Sequence, residues 1–216
     1  MSKFVLIDGH SILNRAFYGV PIFTNSEGLH TNAVFGFLNI MFKIIDSKQP
    51  DYMAVAFDVH QPTFRHEMFK DYKGTRKPMM EELREQVPVI KELLQKMNIT
   101  TVELPGYEAD DVIGTLSKKG EKAGMEVDVI SGDRDLLQLA SDHITICIPK
   151  TKKGQTTVEE YNTEGVRELY KVTPTEFIDV KALMGDSSDN IPGVPGIGEK
   201  GATAIISQFG SIENAY

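Results

Sequence analysis

Three carboxylates fall within four positions of "GYEADDVIGTL" (residues 106–116): Glu108, Asp110 and Asp111. The apolar residues after them predict a helix, so the acids stand at its start. Two chemistries suit that placement. Carboxylates there can cap free N–H groups at the positive end of the helix dipole. They can also hold a hard cation, which prefers oxygen ligands. In a regular helix Glu108 and Asp110 would lie about 200° apart, so sharing an ion requires that they project past the helix end.

Further acids bear on the choice. Three strand-like runs end in aspartate: "VLID" in Asp8, "AVAFD" in Asp58 and "VISGDRD" in Asp133 and Asp135. The stretch "GDSSDN" adds Asp186 and Asp189. A single Asp after a strand is an ordinary turn residue or helix cap. Several from one parallel sheet are brought together at its carboxyl edge, where such sheets bind ligands. Nine carboxylates are therefore expected at one edge, and at close range they raise one another's pKa. Divalent cations relieve that conflict. Mg²⁺ takes carboxylate and water oxygens, whereas five His and one Cys leave little for structural zinc. Two ions about 3.5–4 Å apart support attack of water at phosphorus, which is phosphodiester or phosphomonoester hydrolysis.

The elements that must position these acids can be read from periodicity. Strands are expected at Lys3–Ile7, Tyr52–Phe57, Thr100–Leu104, Glu126–Ser131 and Ile144–Ile148. Helical patterns lie between them: "NAVFGFLNIMFKIIDSK", "MMEELREQVPVIKELLQKM" with a break or kink at Pro88, and "ADDVIGTLSKKGEKAG" stopping at Gly124. Alternating strands and helices predict an α/β fold with a mostly parallel sheet. From about Tyr161 only short helices are expected. The boundary is therefore placed near Asn162, dividing a core of residues 1–161 from a helical subdomain of residues 162–216.

Composition is that of an ordinary globular chain of 216 residues, with no apolar run long enough for a membrane span or a signal peptide. The lone Cys147 cannot form an internal disulfide, which fits a reducing cytoplasm; its expected role is core filling. The net charge of −8 argues at first against a polyanionic partner. Setting aside the nine clustered acids leaves 22 acidic against 23 basic residues, so the objection falls away.

Two stretches bear on the substrate. "GVPGIGEKGA" (Gly193–Ala202) matches GxGxxG formally, but no strand precedes it. It reads better as a helix-hairpin-helix turn, residues 191–202. There Gly193, Gly196 and Gly198 let backbone N–H groups approach a phosphate and Lys200 adds charge. "TFRHEMFKDYKGTRKP" (Thr63–Pro78) interleaves Arg65, Lys70, Lys73, Arg76 and Lys77 with Phe64, Phe69 and Tyr72. That mixture suits single-stranded nucleic acid; a solvated amphipathic segment reads equally well. Arg15 can meet a phosphate or form a helix salt bridge. Phe17 and Tyr18 are expected in the core or the crevice wall. His10 is expected to pack or hydrogen-bond at the turn after the first strand, and His66 to be a surface residue and not a ligand.

"LIDGHSILNRAFYG", "AFDVHQPTFRHEMFKDYKGTR", "GYEADDVIGTL", "SGDRDLLQL" and "LMGDSSDNIPGVPGIGEKGA" together resemble the 5′-nuclease domains of bacterial DNA polymerase I, in the flap endonuclease and 5′-3′ exonuclease superfamily. The resemblance covers nearly the whole chain. It implies a PIN-like α/β core, a helical arch or clamp around residues 62–97, and a helix-three-turn-helix element. It also implies divalent-metal-dependent cleavage of 5′ flaps and 5′ ends, with RNA-primed and branched DNA as partners in primer removal and repair. Asp8, Asp58, Glu108, Asp110, Asp133, Asp135 and Asp186 match the family's metal-binding acids, and Asp111 and Asp189 those of its bacterial branch. Tyr72, Lys73 and Arg76 match arch positions on the substrate strand, and Arg15 a basic position near the scissile phosphate. The resemblance further implies two or more Mg²⁺ (with Mn²⁺ as substitute) and K⁺ at the hairpin turn. A polymerase in the same native chain, more helices past Tyr216, and a monomeric bacterial cytoplasmic protein are also implied. A catalytically weak DNA-junction binder and a small-molecule phosphatase are the alternatives. The intact acids argue against the first, and "GVPGIGEKGA" against the second.

Overall fold

The computed structural model describes residues 1–152 and 155–216. Its centre is a six-stranded sheet: β1 (Lys3–Asp8), β2 (Tyr52–Ala56), β3 (Thr100–Val102), β4 (Glu126–Ile130), β5 (Ile144–Lys152) and β6 (Gln155–Tyr161). The spatial order is β3-β2-β1-β4-β5-β6, parallel except for β6. The five expected strands are present. The sixth, "QTTVEEY", carries too little apolar alternation to read as a strand; it is an edge strand paired on one side only with β5. That pairing also extends β5 past its expected end at Ile148.

Along β1, Val5 and Ile7 face one layer and Leu6 the other, as the two-residue period requires. The first layer holds α1 (Gly9–Gly19), α2 (Asn32–Lys48) and α5 (Gln86–Lys96), around Phe37, Met41, Phe57, Ile90 and Leu94. Short helices α3 (Phe64–Met68) and α4 (Glu81–Arg84) precede α5. The helix breaks at Glu85, ahead of Pro88, which sits in the first turn of α5. Proline there cannot donate to the Arg84 carbonyl, so the interruption appears one turn before the ring. Phe17 is buried in this layer, whereas Tyr18 is 70% exposed and is neither core nor crevice wall. Cys147 is fully buried here, as expected.

The second layer holds α6 (Ala109–Lys122), α7 (Thr163–Tyr170), α8 (Glu176–Met184) and α9 (Glu199–Phe209), with α10 (Ile212–Ala215) after them. Val166, Phe177, Val180, Ala202 and Ile206 share one apolar cluster with Leu6, Val127 and Leu137. The C-terminal helices are thus packed into the same core as the sheet. Burying a side chain such as Phe177 contributes about 1.5–3 kcal/mol. No helix among the described residues is long and apolar enough to cross a membrane.

The chain leaves β1 toward β2 on one side and returns through α6 to β4 on the other. β1 and β4 therefore flank the point where strand order reverses, and the crevice beyond their carboxyl ends is the expected ligand site.

Candidate metal centre

A cavity of about 680 Å³ opens at that point, lined by Asp8, Asp58, Glu108, Asp110 and Asp133 together with Arg15, Lys73 and Arg76. Asp8 ends β1 and caps α1, accepting from the Ser11 backbone N–H at 3.0 Å and from Ser131 Oγ at 2.8 Å. Burial, with Asp58 and Asp133 nearby, pushes its carboxyl up to about 6 despite those bonds. Asp58 accepts from the Ala109 N–H at 2.7 Å, so it caps α6 from another strand. Asp133 opens a 3₁₀ helix (Arg134–Leu139) and accepts from the Asp135 N–H at 2.8 Å. Asp110 has no side-chain hydrogen bond or ion pair to any described residue. Burial, then Asp8, Asp133, Asp58 and Glu108, raise its carboxyl well above the usual range.

The nine acids do not form one group. Asp111 is held by both terminal nitrogens of Arg65 at 2.7 and 2.8 Å, and it caps α6 by accepting from the Glu108 N–H at 2.9 Å. Arg65 outweighs burial there and keeps its carboxyl below the usual value. Asp189 pairs with Arg76 and accepts from the Tyr72 hydroxyl at 2.9 Å. Asp135 and Asp186 share Lys181 at 2.8 and 2.7 Å. Glu108, 7% exposed, accepts from Lys73 Nζ at 2.7 Å and from the Tyr72 hydroxyl at 3.0 Å. Protein cations thus neutralise Glu108, Asp111, Asp135, Asp186 and Asp189. Asp8, Asp110 and Asp133 have no cationic partner among the described residues. Asp58 has only His10, at 3.6 Å, whose imidazole burial pushes down toward the neutral form. His10, in the first turn of α1, accepts from the Asp58 backbone N–H at 3.1 Å, so its partner comes from beyond β2 and not from its own turn.

The capping and metal readings of "EADD" therefore divide by residue. Asp111 caps and pairs, while Asp110 faces the cavity. The all-oxygen donor set with a half-buried, unpartnered carboxylate, Asp110, fits a hard divalent cation. Among the described residues no group of three or more His, Cys, Asp or Glu side chains is placed to hold a metal ion.

Of the segment expected as an arch, residues 62–97, only the part from Arg65 to Arg76 contacts the acids, while α5 packs in the core layer through Ile90 and Leu94. Tyr72 is 4% exposed, with the Lys73 ammonium over its ring face and His66 against its edge. His66 also accepts from the Thr63 N–H at 3.1 Å. The Lys73 N–H donates to the Asp189 carbonyl at 2.8 Å, and Asn190 Nδ2 to the Asp71 carbonyl at 2.8 Å, joining the arch segment to the "GDSSDN" loop. Arg15 lines the cavity from α1, and its Nε is buried without a hydrogen-bond partner.

The hairpin lies between α8 and α9, as expected. Its glycines differ in role. Gly185 (φ +70°) and Gly193 cross in contact: a Cβ on Gly193 would stand 2.3 Å from the Met184 carbonyl carbon. Gly193 thus serves backbone packing, not an open phosphate face as expected from sequence. Gly196 (φ +83°) and Gly198 have nothing within 4 Å of a built Cβ, and Lys200 is exposed beside them. Arg65, Lys181 and Ser131 are site residues that sequence reasoning did not assign. Arg65 and Ser131 meet their acids only across separate elements, and Lys181 joins nearby Asp186 to the distant Asp135.

Residues 3–171 match the family described as 5′-3′ exonuclease, N-terminal resolvase-like domain, and residues 172–216 match 5′-3′ exonuclease, C-terminal SAM fold. The chain is 55% identical over 212 residues to DNA polymerase I of Bacillus caldotenax and 54% identical over 211 residues to that of Bacillus subtilis strain 168. Each alignment covers 98% of this chain and 24% of the relative, so the chain spans about a quarter of those proteins. The bacteriophage T5 D15 protein co-crystallised with metal ions superposes with a TM-score of 0.77 at 27% identity, covering 98% of this chain and 77% of that one. The catalytic core of Rad2 in complex with DNA shares the fold, with a TM-score of 0.63 at 19% identity, covering 99% and 64%. With both halves matched and the acid crevice at the strand switch point, the chain belongs to the 5′-3′ exonuclease family.

Proposed function

We propose that the chain is a structure-specific 5′-nuclease that hydrolyses phosphodiester bonds at 5′ ends and at the base of 5′ flaps in DNA or RNA–DNA. The observation that carries this reading is the crevice itself: unpaired Asp8, Asp110 and Asp133 stand beside Arg15, whose Nε is an unused donor. Relatives support it, since T5 5′-exonuclease carries divalent ions in its solved structures and a T5 flap endonuclease variant is seen with DNA and metal ions.

Asp8, Asp110 and Asp133, flanked by Asp58 and Glu108, together with Asp135 and Asp186 next to Asp133, would hold two or more Mg²⁺, with Mn²⁺ as substitute. When bound, such ions supply activation of water and neutralise charge developing at phosphorus. Arg15, Lys73 and Arg76 orient the phosphate and stabilise the extra negative charge of the phosphorane-like stage. The turn from Ile191 to Ala202, with Gly196, Gly198 and Lys200, takes the backbone of the duplex, with K⁺ at the turn. Residues 1–161 act as the nuclease core, with the part of 62–97 ahead of α5 as arch, and residues 162–216 as the duplex-binding part. In the native protein a polymerase region is attached, as the length of the relatives suggests.

A labelled 5′-flap substrate incubated with the protein and Mg²⁺ tests this. Cleavage near the flap base, abolished by EDTA, is expected. Binding without cleavage at any enzyme excess would instead favour the junction-binder reading.

A further inference from the structure

Lys181 stands apart from the other cations that pair with these acids. Arg65, Lys73 and Arg76 all come from the segment between β2 and α4. Lys181 is in the last turn of α8, which packs against the 3₁₀ helix that carries Asp135. Its Nζ lies 2.8 Å from Asp135 Oδ1 and 2.7 Å from Asp186 Oδ2, joining acids fifty-one residues apart. The other Asp186 oxygen accepts from the Ser188 N–H at 2.8 Å and the Ser188 hydroxyl at 2.7 Å. Every strong contact of Asp186 is therefore filled, and the Oδ2 lone pairs that face Asp135 are taken by an ammonium. On the far side of Asp133, Asp8 and Asp110 have no such cation. Asp8, Asp110 and Asp133 are left without a protein cation, whereas Asp135 and Asp186, next to Asp133, already share a positive charge built into the helix scaffold.

We propose that Lys181 is a positioning residue that occupies the second cation position of the site. It holds Asp135 and Asp186 in register, and a second divalent ion must displace its ammonium from both carboxylates. The first ion, taken by Asp8, Asp110 and Asp133, meets no competitor. The site therefore loads in two unequal steps, and Lys181 sets the inequality. When displaced, the Lys181 ammonium is free to meet a phosphate oxygen, which couples filling of the second position to the presence of substrate. This inference rests on the metal-binding reading of the crevice given above.

Mn²⁺ titration of the 216-residue chain, followed by electron paramagnetic resonance and calorimetry, tests it. The wild-type chain is expected to bind one ion tightly and another at least tenfold more weakly. Lys181→Met should tighten the weak step by tenfold or more and leave the first within twofold, while Lys181→Arg restores the wild-type inequality. A purely structural lysine would not do this, since its loss would weaken the second step. An unchanged or weakened second step in Lys181→Met overturns the proposal. Two equal affinities in the wild-type chain overturn it with no variant needed, which covers the case in which Lys181→Met does not fold. Failure of the metal reading is distinct: the wild-type chain would then bind no ion, or bind it unaffected by Asp110→Asn.

Discussion

The Tyr72 hydroxyl lies 3.0 Å from Glu108, with the ring only 4% exposed. An aromatic among basic residues reads in sequence as a stacking platform, yet here it is a plug between the arch segment and the acids. Burial, Glu108 and Asp189 all push the phenol upward, so it stays protonated and serves as a donor to two carboxylates. Tyr72→Phe keeps the ring and removes the donor. A hydrogen bond to a charged group contributes about 1.5 kcal/mol or more. At this chain length, the expected fall in Tm in EDTA is about 3–6 °C. Proteolysis between residues 69 and 80 should speed up in parallel. An unchanged Tm would show that the hydroxyl holds nothing.

The metal-free protein should be more stable at pH 5 than at pH 7.5. Burial raises Asp8 to about 6 and raises Asp110 and Asp135 as well. A carboxyl with a raised folded-state pKa contributes stability below its unfolded value, near 3.8, and that stability is lost as pH rises through the folded value. His10, pushed down by burial, acts the opposite way below 6.5, but it is one group against three. Asp186, where Lys181 and Ser188 outweigh burial, and Asp111, where Arg65 does, lose stability only below about pH 4. Melting curves in EDTA should therefore peak near pH 5, and saturating Mg²⁺ should move the peak toward neutrality. Asp110→Asn should raise the Tm at pH 7.5 by about 2–4 °C and change little at pH 5. A lower Tm for that variant at pH 7.5 would contradict stored repulsion.

The acid edge was legible because Asp8, Asp58 and Asp133 each stand at or just past the end of a strand. The parallel order with its reversal at β1 and β4 then brings Asp8, Asp58 and Asp133 together. What was not legible is direction and pairing. Asp110 and Asp111 are neighbours with equal side chains, yet one faces the cavity and the other Arg65. Only the turn of α6 decides between them. Arg65 reaches Asp111, and Lys181 reaches Asp135, through tertiary packing, which leaves no spacing rule in the chain. The strand β6 escaped notice because a polar edge strand lacks the apolar alternation that marks a half-buried one.

The hairpin glycines should separate by substitution. Gly185→Ala places a methyl 2.3 Å from the Gly193 nitrogen at φ +70°. Backbone cannot yield as a side chain can, so a loss of about 3 kcal/mol is expected. Gly196→Ala meets nothing within 4 Å and bears only the left-handed conformation at φ +83°, a cost of about 1–2 kcal/mol. Urea denaturation measures both. Duplex affinity should fall in Gly196→Ala only if the open face near Lys200 touches the backbone. Equal losses in stability would mean that the crossing relaxes.

Arg15 tests whether an unsatisfied group is kept for the reaction. Its Nε is buried with no hydrogen-bond partner, and its guanidinium, which burial pushes toward lower pKa, forms no ion pair among the described residues. Leaving a buried donor unmade costs about 1–3 kcal/mol. Removing that donor while keeping the stem should therefore not destabilise the fold, and Arg15→Met is expected to melt at or above the wild-type temperature. The same group lines the acid cavity, where a phosphate would complete its bonding. Removing one preorganised donor to developing charge costs about a hundredfold or more in turnover. The signature is thus opposite in sign for the two measurements: unchanged or higher Tm, and single-turnover cleavage of a 5′ flap slowed about a hundredfold. A variant that is both destabilised and fully active would place Arg15 in the scaffold instead of at the phosphate.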